Sequence, residues 1–154
     1  SSDVCSSDLI PLLSARLVGA IDWLKSSKAT AKLPLGLFGA STGAAAALTA
    51  AATRPAMVGA VVSCGGRPDL ASDTLATVRA PVLLIVGGLD ETVIELNEEA
   101  TARLACKWQL ERQLEIIPGA THLFEEPGAM ARVALLTREW FLRHLGRDAG
   151  AGCS

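Results

Sequence analysis

Apolar residues along this chain fall into two rhythms. Short, nearly unbroken apolar runs occupy residues 34–40, 57–63 and 81–87, and a more polar segment, 112–117, also reads as a strand. Such runs read as strands of a parallel sheet covered on both faces. Around them the apolar positions recur at helical spacing. Leu12, Leu13, Leu17, Ile21 and Leu24 predict a helix over residues 10–27, broken at Ser26-Ser27-Lys28, with Trp23 either packed against the sheet, the preferred place, or facing solvent. The alanines from Ala44 to Ala52 predict a second helix over 42–53, closed before Pro55. Alanine favours helix and allows close approach to a sheet. A third helix is expected over 93–105, and a last over 127–145 with Pro127 in its first turn. Glu125 and Glu126 stand where negative charge favours a helix N-terminus; capping is their expected role and ligand contact the rival one. Gly65-Gly66-Arg67-Pro68 breaks the second strand, and 69–78 reads as loop with a short helical turn. Residues 146–154 read as a flexible tail. Strands alternating with helices imply the α/β class: a mostly parallel sheet with helices on both faces.

The turn between the first strand and the second helix carries the clearest chemistry. It reads Gly39-Ala40-Ser41-Thr42-Gly43, a G-x-S-x-G pattern in a strand–turn–helix context. A serine hydroxyl is a poor nucleophile at neutral pH and needs a base within hydrogen-bond reach. A sharp turn lifts it clear of the sheet. A Cβ at either glycine is expected to crowd the adjoining elements. The helix that follows aims its free N–H groups and positive dipole end at the same spot.

Two later strand ends supply an acid and then a base. The run 80–86 closes in Gly87-Gly88-Leu89-Asp90, which puts a carboxylate just past the C-terminal end of a strand. Asp69 also follows a strand end and is a rival acid; Asp90 closes the longer, cleaner strand. The run 113–117 leads into Pro118-Gly119-Ala120-Thr121-His122. The other histidine, His144, lies near the end of the last helix and reads as a solvated or C-terminal capping group. His122 is therefore the good candidate for the base.

On residues 36–44, 80–90 and 118–128 the chain resembles the α/β-hydrolases, and more narrowly their dienelactone-hydrolase-related branch. The resemblance covers about residues 10–145. It implies Ser41 as nucleophile, Asp90 as orienting acid, His122 as base and the Thr42 backbone N–H as one oxyanion donor, with no cofactor. Enzymes that act on dienelactone itself carry cysteine where this chain has Ser41. The implied activity is thus a serine hydrolase acting on a small ester, thioester or lactone. An acyltransferase using the same triad, or a non-catalytic interaction domain keeping the fold, are the alternatives. The complete fold has further strands before the elbow strand, so residues 10–145 are expected to be the C-terminal part of the domain. The second oxyanion donor would then come from outside this chain. The elbow strand would be an exposed apolar edge through which the chain self-associates. Similar domains occur fused to phosphoribosyltransferase domains, which makes such a fusion one expectation for the parent protein.

Composition narrows the picture further. The 154 residues, half of them apolar, suit one domain with a sizeable core. A net charge of −2 with scattered Lys and Arg gives no stripe for nucleic acid. The apolar runs stop well short of the roughly 18–20 residues that cross a membrane. No leader pattern is visible. Cysteines at 5, 64, 106 and 153 have no metal-ligand spacing, so no metal, no disulfide and a reducing, cytoplasmic setting are expected, with Cys64 a small buried hydrophobe. Arg67 could meet a substrate carboxylate or be a solvated loop residue; Trp108 could line a pocket or merely connect helix and strand. Residues 1–9, Ser-Ser-Asp-Val-Cys-Ser-Ser-Asp-Leu, match the conceptual translation of a common sequencing-library adapter and are expected to be foreign to the protein.

Overall fold

A computed structural model describes residues 2–104 and 111–146, with side chains from residue 9 onward. Cys106, Trp108, Cys153 and the tail beyond residue 146 lie outside the described residues. In chain order the elements are α1 (Ser2–Ser26), β1 (Gly36–Ala40), α2 (Thr42–Thr53), β2 (Ala60–Cys64), two 3-10 turns (Pro68–Ala71 and Leu75–Thr77), β3 (Val82–Gly87), α3 (Glu91–Leu104), β4 (Arg112–Ile117) and α4 (Ala129–Leu145).

The strands form one parallel sheet in the order β1-β2-β3-β4. The register sets Phe38 beside Val62, Val62 beside Leu83 and Leu83 beside Gln113. Every residue of β2 and β3 is buried, which is why both appear as unbroken apolar runs. Leu37, Val61, Val82 and Leu84 face α2 and α3. Val62, Leu83 and Ile85 face α4, which returns Val133, Leu136 and Trp140. The buried alanines of α2, Ala44 to Ala47 among them, let that helix lie close to the sheet. Helix α1 packs on α2, and Arg54 at the end of α2 pairs with Asp22 of α1 through two bonds of 2.9 and 3.1 Å.

Several expectations need correction. The helical backbone of α1 begins at Ser2, so it runs through most of residues 1–9. Its buried line is Ile10, Ser14 and Ile21, with Leu17 and Val18 half-buried; Leu12 is exposed, and Trp23, expected in the core, is 65% exposed. Ile21 and Leu17 lie on that line as expected, while Leu12 lies off it. Strand β2 starts only at Ala60 because the preceding residues turn back, with the Met57 and Val58 N–H groups both donating to the Arg54 carbonyl. Helix α4 starts at Ala129, because left-handed Gly128 (φ 84°) caps it. His144 is packed rather than solvated: its side chain is 11% exposed and its ring centroid lies 4.3 Å from that of Trp140.

Candidate active site

Strand β1 delivers Ser41 into a turn with φ 51° and ψ −121°. A serine at positive φ carries strain on the order of 1–3 kcal/mol and persists only when its surroundings over-determine it. Here they do. The Ser41 N–H donates to the Cys64 carbonyl at 3.1 Å, and the Ser41 carbonyl accepts from the N–H groups of Arg67 and Ala44, each at 3.2 Å. Gly39 permits the tight turn: a Cβ there would lie 2.7 Å from Ala44 Cα and closer still to the Gly43 backbone. The same expectation fails at Gly43, where a Cβ would meet open space. Thr42 opens α2, whose first N–H groups have no partner within the helix.

Strand β3 ends at Gly87, and the turn beyond it is stitched to the loop beyond β4. The Gly88 N–H donates to Ile117 O (2.8 Å) and the Leu89 N–H to Ala120 O (3.0 Å). Gly87 allows this close approach, since a Cβ there would sit 2.7 Å from Thr121 O. The stitching brings Asp90 and His122 together, with Asp90 Oδ2 2.8 Å from His122 Nδ1. On the far side of the ring, His122 Nε2 lies 2.9 Å from Ser41 Oγ. If Nδ1–H donates to the carboxylate, Nε2 is the acceptor that faces the serine hydroxyl. The Asp90 side chain is 20% exposed and that of His122 39%, so the carboxylate is more sheltered than the imidazole.

The His122 loop has its own supports. Glu126 does not cap α4. Its Oε1 accepts from both the N–H (3.1 Å) and the hydroxyl (2.6 Å) of Thr121, beside the histidine. The Thr121 hydroxyl bond, then backbone N–H bonds, hold the Glu126 carboxyl below the ordinary carboxylate pKa. Phe124, at φ 54° and 4% exposed, plugs the loop into the α4-side core. Gly65, at the end of β2, runs beneath the ring; a Cβ there would be 3.5 Å from His122 Cε1. Neither Glu126 nor Phe124 was legible as a support, because both roles depend on a loop conformation that carries no periodic signal.

The remaining candidates lie elsewhere. Asp69, the rival acid, is bound bidentately by Arg67 at 3.0 and 2.9 Å, and so faces a guanidinium rather than His122. Arg67 is thereby ion-paired, with its side chain still 44% exposed. Cys64 is buried, and burial pushes its thiol up to about 11. Among the described residues no cluster of His, Cys, Asp and Glu could hold a metal ion, and no helix is long and apolar enough to cross a membrane.

A serine at a strained strand-to-helix turn, then an acid, then a histidine, all at the C-terminal edge of a parallel sheet, is the arrangement of the α/β-hydrolase fold. The chain belongs to the dienelactone hydrolase family, whose model matches residues 10–141. The crystal structure of a dienelactone hydrolase from Anabaena variabilis is similar, with 57% identity and a TM-score of 0.84 over 88% of this chain and 61% of that one. A Mycobacterium tuberculosis protein provisionally named a phosphoribosyl transferase is 56% identical over 136 residues, which are 88% of this chain and 30% of that protein. A dienelactone hydrolase-like promiscuous phosphotriesterase from metagenomic libraries shares the fold at 21% identity, with a TM-score of 0.67. The chain thus spans about a third of the curated relatives it matches.

Proposed function

We propose that this chain carries the catalytic residues of a serine hydrolase acting on an ester, thioester or lactone. The observation that carries the reading is the unbroken line Ser41 Oγ to His122 Nε2 (2.9 Å) and His122 Nδ1 to Asp90 Oδ2 (2.8 Å). In this mechanism Ser41 Oγ attacks the carbonyl carbon as His122 takes its proton. The Thr42 N–H faces the oxygen that becomes negative. The carbon–leaving-group bond breaks, and His122 returns the proton to the departing alcohol, thiol or lactone alkoxide. Water then attacks the acyl-enzyme with His122 again as base, releasing the acid and restoring Ser41. Asp90 fixes the imidazole tautomer and stabilises the cation formed twice in the cycle. The relatives' transferase name, with only 30% of their length matched, supports reading the parent as a fusion of a hydrolase-like domain with a phosphoribosyl transferase domain.

Fluorophosphonate labelling read by intact mass tests the proposal. A stoichiometric adduct is expected on the wild-type chain, none on Ser41→Ala, and labelling at least about a thousandfold slower on His122→Ala. An adduct on folded Ser41→Ala, or undiminished labelling of His122→Ala, would refute it.

A further inference from the structure

The most out-of-place polar side chain in the molecule is Asn97. It lies on α3 and is 0% exposed, in a line of buried positions otherwise filled by Val93, Ala100 and Leu104. Burying an amide costs free energy unless it is bonded, so an apolar residue would serve packing alone better. The Asn97 Nδ2 group donates to Val93 O one turn back (2.7 Å) and, across the fold, to Gly66 O (3.2 Å). Two carbonyl acceptors fix which end of the amide is nitrogen, and the side chain's polar pairing rests on that nitrogen.

Gly66 is a consequential acceptor. It stands between Cys64, whose carbonyl takes the Ser41 N–H, and Arg67, whose N–H reaches the Ser41 carbonyl. Residues 64–67 therefore form a strap that grips both backbone polar groups of the strained serine. The strap is pressed against α2, for a Cβ at Gly66 would lie 2.6 Å from the Ala44 Cβ and would collide with Ser63 Oγ. Asn97 holds its middle from the far side.

We propose that Asn97 is a positioning residue for Ser41: by tethering the Gly66 carbonyl to α3 it fixes the strap that keeps Ser41 in its strained turn and its Oγ within reach of His122. Asn97 touches neither Ser41 nor His122 and acts through residues 64–67. The proposal rests on reading Ser41 as the nucleophile, and its test is built to fail separately from that reading.

The test compares the wild-type chain with Asn97→Leu, which keeps the number of side-chain heavy atoms and removes the donor, and with Ser63→Ala, which trims the same neighbourhood without touching the tether. Two quantities are read: the fluorophosphonate reaction, resolved into a maximal rate and a half-saturating concentration, and amide hydrogen exchange at Ser41 and Arg67. In Asn97→Leu the maximal rate is expected to fall about ten- to a hundredfold, as for a nucleophile misplaced by a fraction of an ångström to 1 Å. Half-saturation and final stoichiometry stay unchanged, which simple loss of folded protein would not produce. Exchange at both amides speeds up about tenfold or more. Ser63→Ala matches wild type in both readouts. Folded Asn97→Leu with wild-type labelling rate, or with unchanged exchange at Ser41 and Arg67, overturns the proposal. If wild type itself takes no label, the hydrolase reading fails, and the exchange comparison alone upholds or overturns the strap. Asn97→Ser, which is small and compatible with a helix, carries the same comparison should the leucine substitution prevent folding.

Discussion

At the scale of single residues, the site depends on side chains whose surroundings differ from those their types suggest. Ser41 sits at positive φ, and Glu126 turns away from a helix end to bind Thr121. His144 leads to a stability prediction. Burial holds its pKa below the ordinary 6.5, assisted by Arg143 and opposed by Glu111, while its ring lies against Trp140. The folded state therefore favours the neutral ring. As pH falls through 6.5 the unfolded chain takes up this proton first, so stability drops, and the drop from this group ends once the folded-state ring is also protonated. Asp22 and Glu126, whose carboxyls are held below their ordinary values, lose their contributions only at more acid pH. Urea titrations between about pH 7.5 and 5.5 should show falling stability in wild type and a flatter profile in His144→Gln. Equal slopes in the two proteins would contradict the assignment.

At the scale of elements, the close approach of β1 and α2 sets the geometry of the turn. Gly39 and Gly43 are equivalent in the sequence pattern but not in space. Gly39→Ala forces a Cβ against the backbone of the first turn of α2 and should cost about 1–3 kcal/mol, with the labelling of Ser41 slowed as the turn shifts. Gly43→Ala places its methyl in open space within a helix and should be neutral or stabilising by up to about 1 kcal/mol. Chemical denaturation of the two variants measures the contrast; similar destabilisation by both would show that the tight contact is not where the structure puts it. The helices were legible as elements but less so as surfaces. The apolar residues of α1 gave the right helix and part of its contact line: Leu17 and Ile21 pack inward while Leu12 is exposed, since neighbouring registers of one apolar stripe differ little until a partner helix is present.

At the scale of the whole molecule, the two sheet edges differ. β4 carries Arg112 and Glu115, charges that discourage pairing with another chain. β1 reads Gly-Leu-Phe-Gly-Ala, has no charge, and leaves Phe38 51% exposed. Sedimentation velocity should therefore show concentration-dependent self-association that Phe38→Lys weakens; a clean monomer at high concentration would speak against β1 as a sticky edge. The sequence by itself determined the order of strands and helices and the parallel sheet, and it placed Ser41, two candidate acids and His122 after strand ends. It could do so because β2 and β3, buried on both faces, leave unbroken apolar runs, and because the serine, the candidate acids and the histidine each come after a strand end. Tertiary structure alone decided that Asp90 rather than Asp69 meets the histidine, that His144 packs against Trp140, that Ser41 is strained, and that Asn97 and Glu126 reach the segments supporting it and His122. Each of these depends on which segments meet across the fold, as Ser41 and His122 do from 81 residues apart, and local pattern holds no record of such meetings.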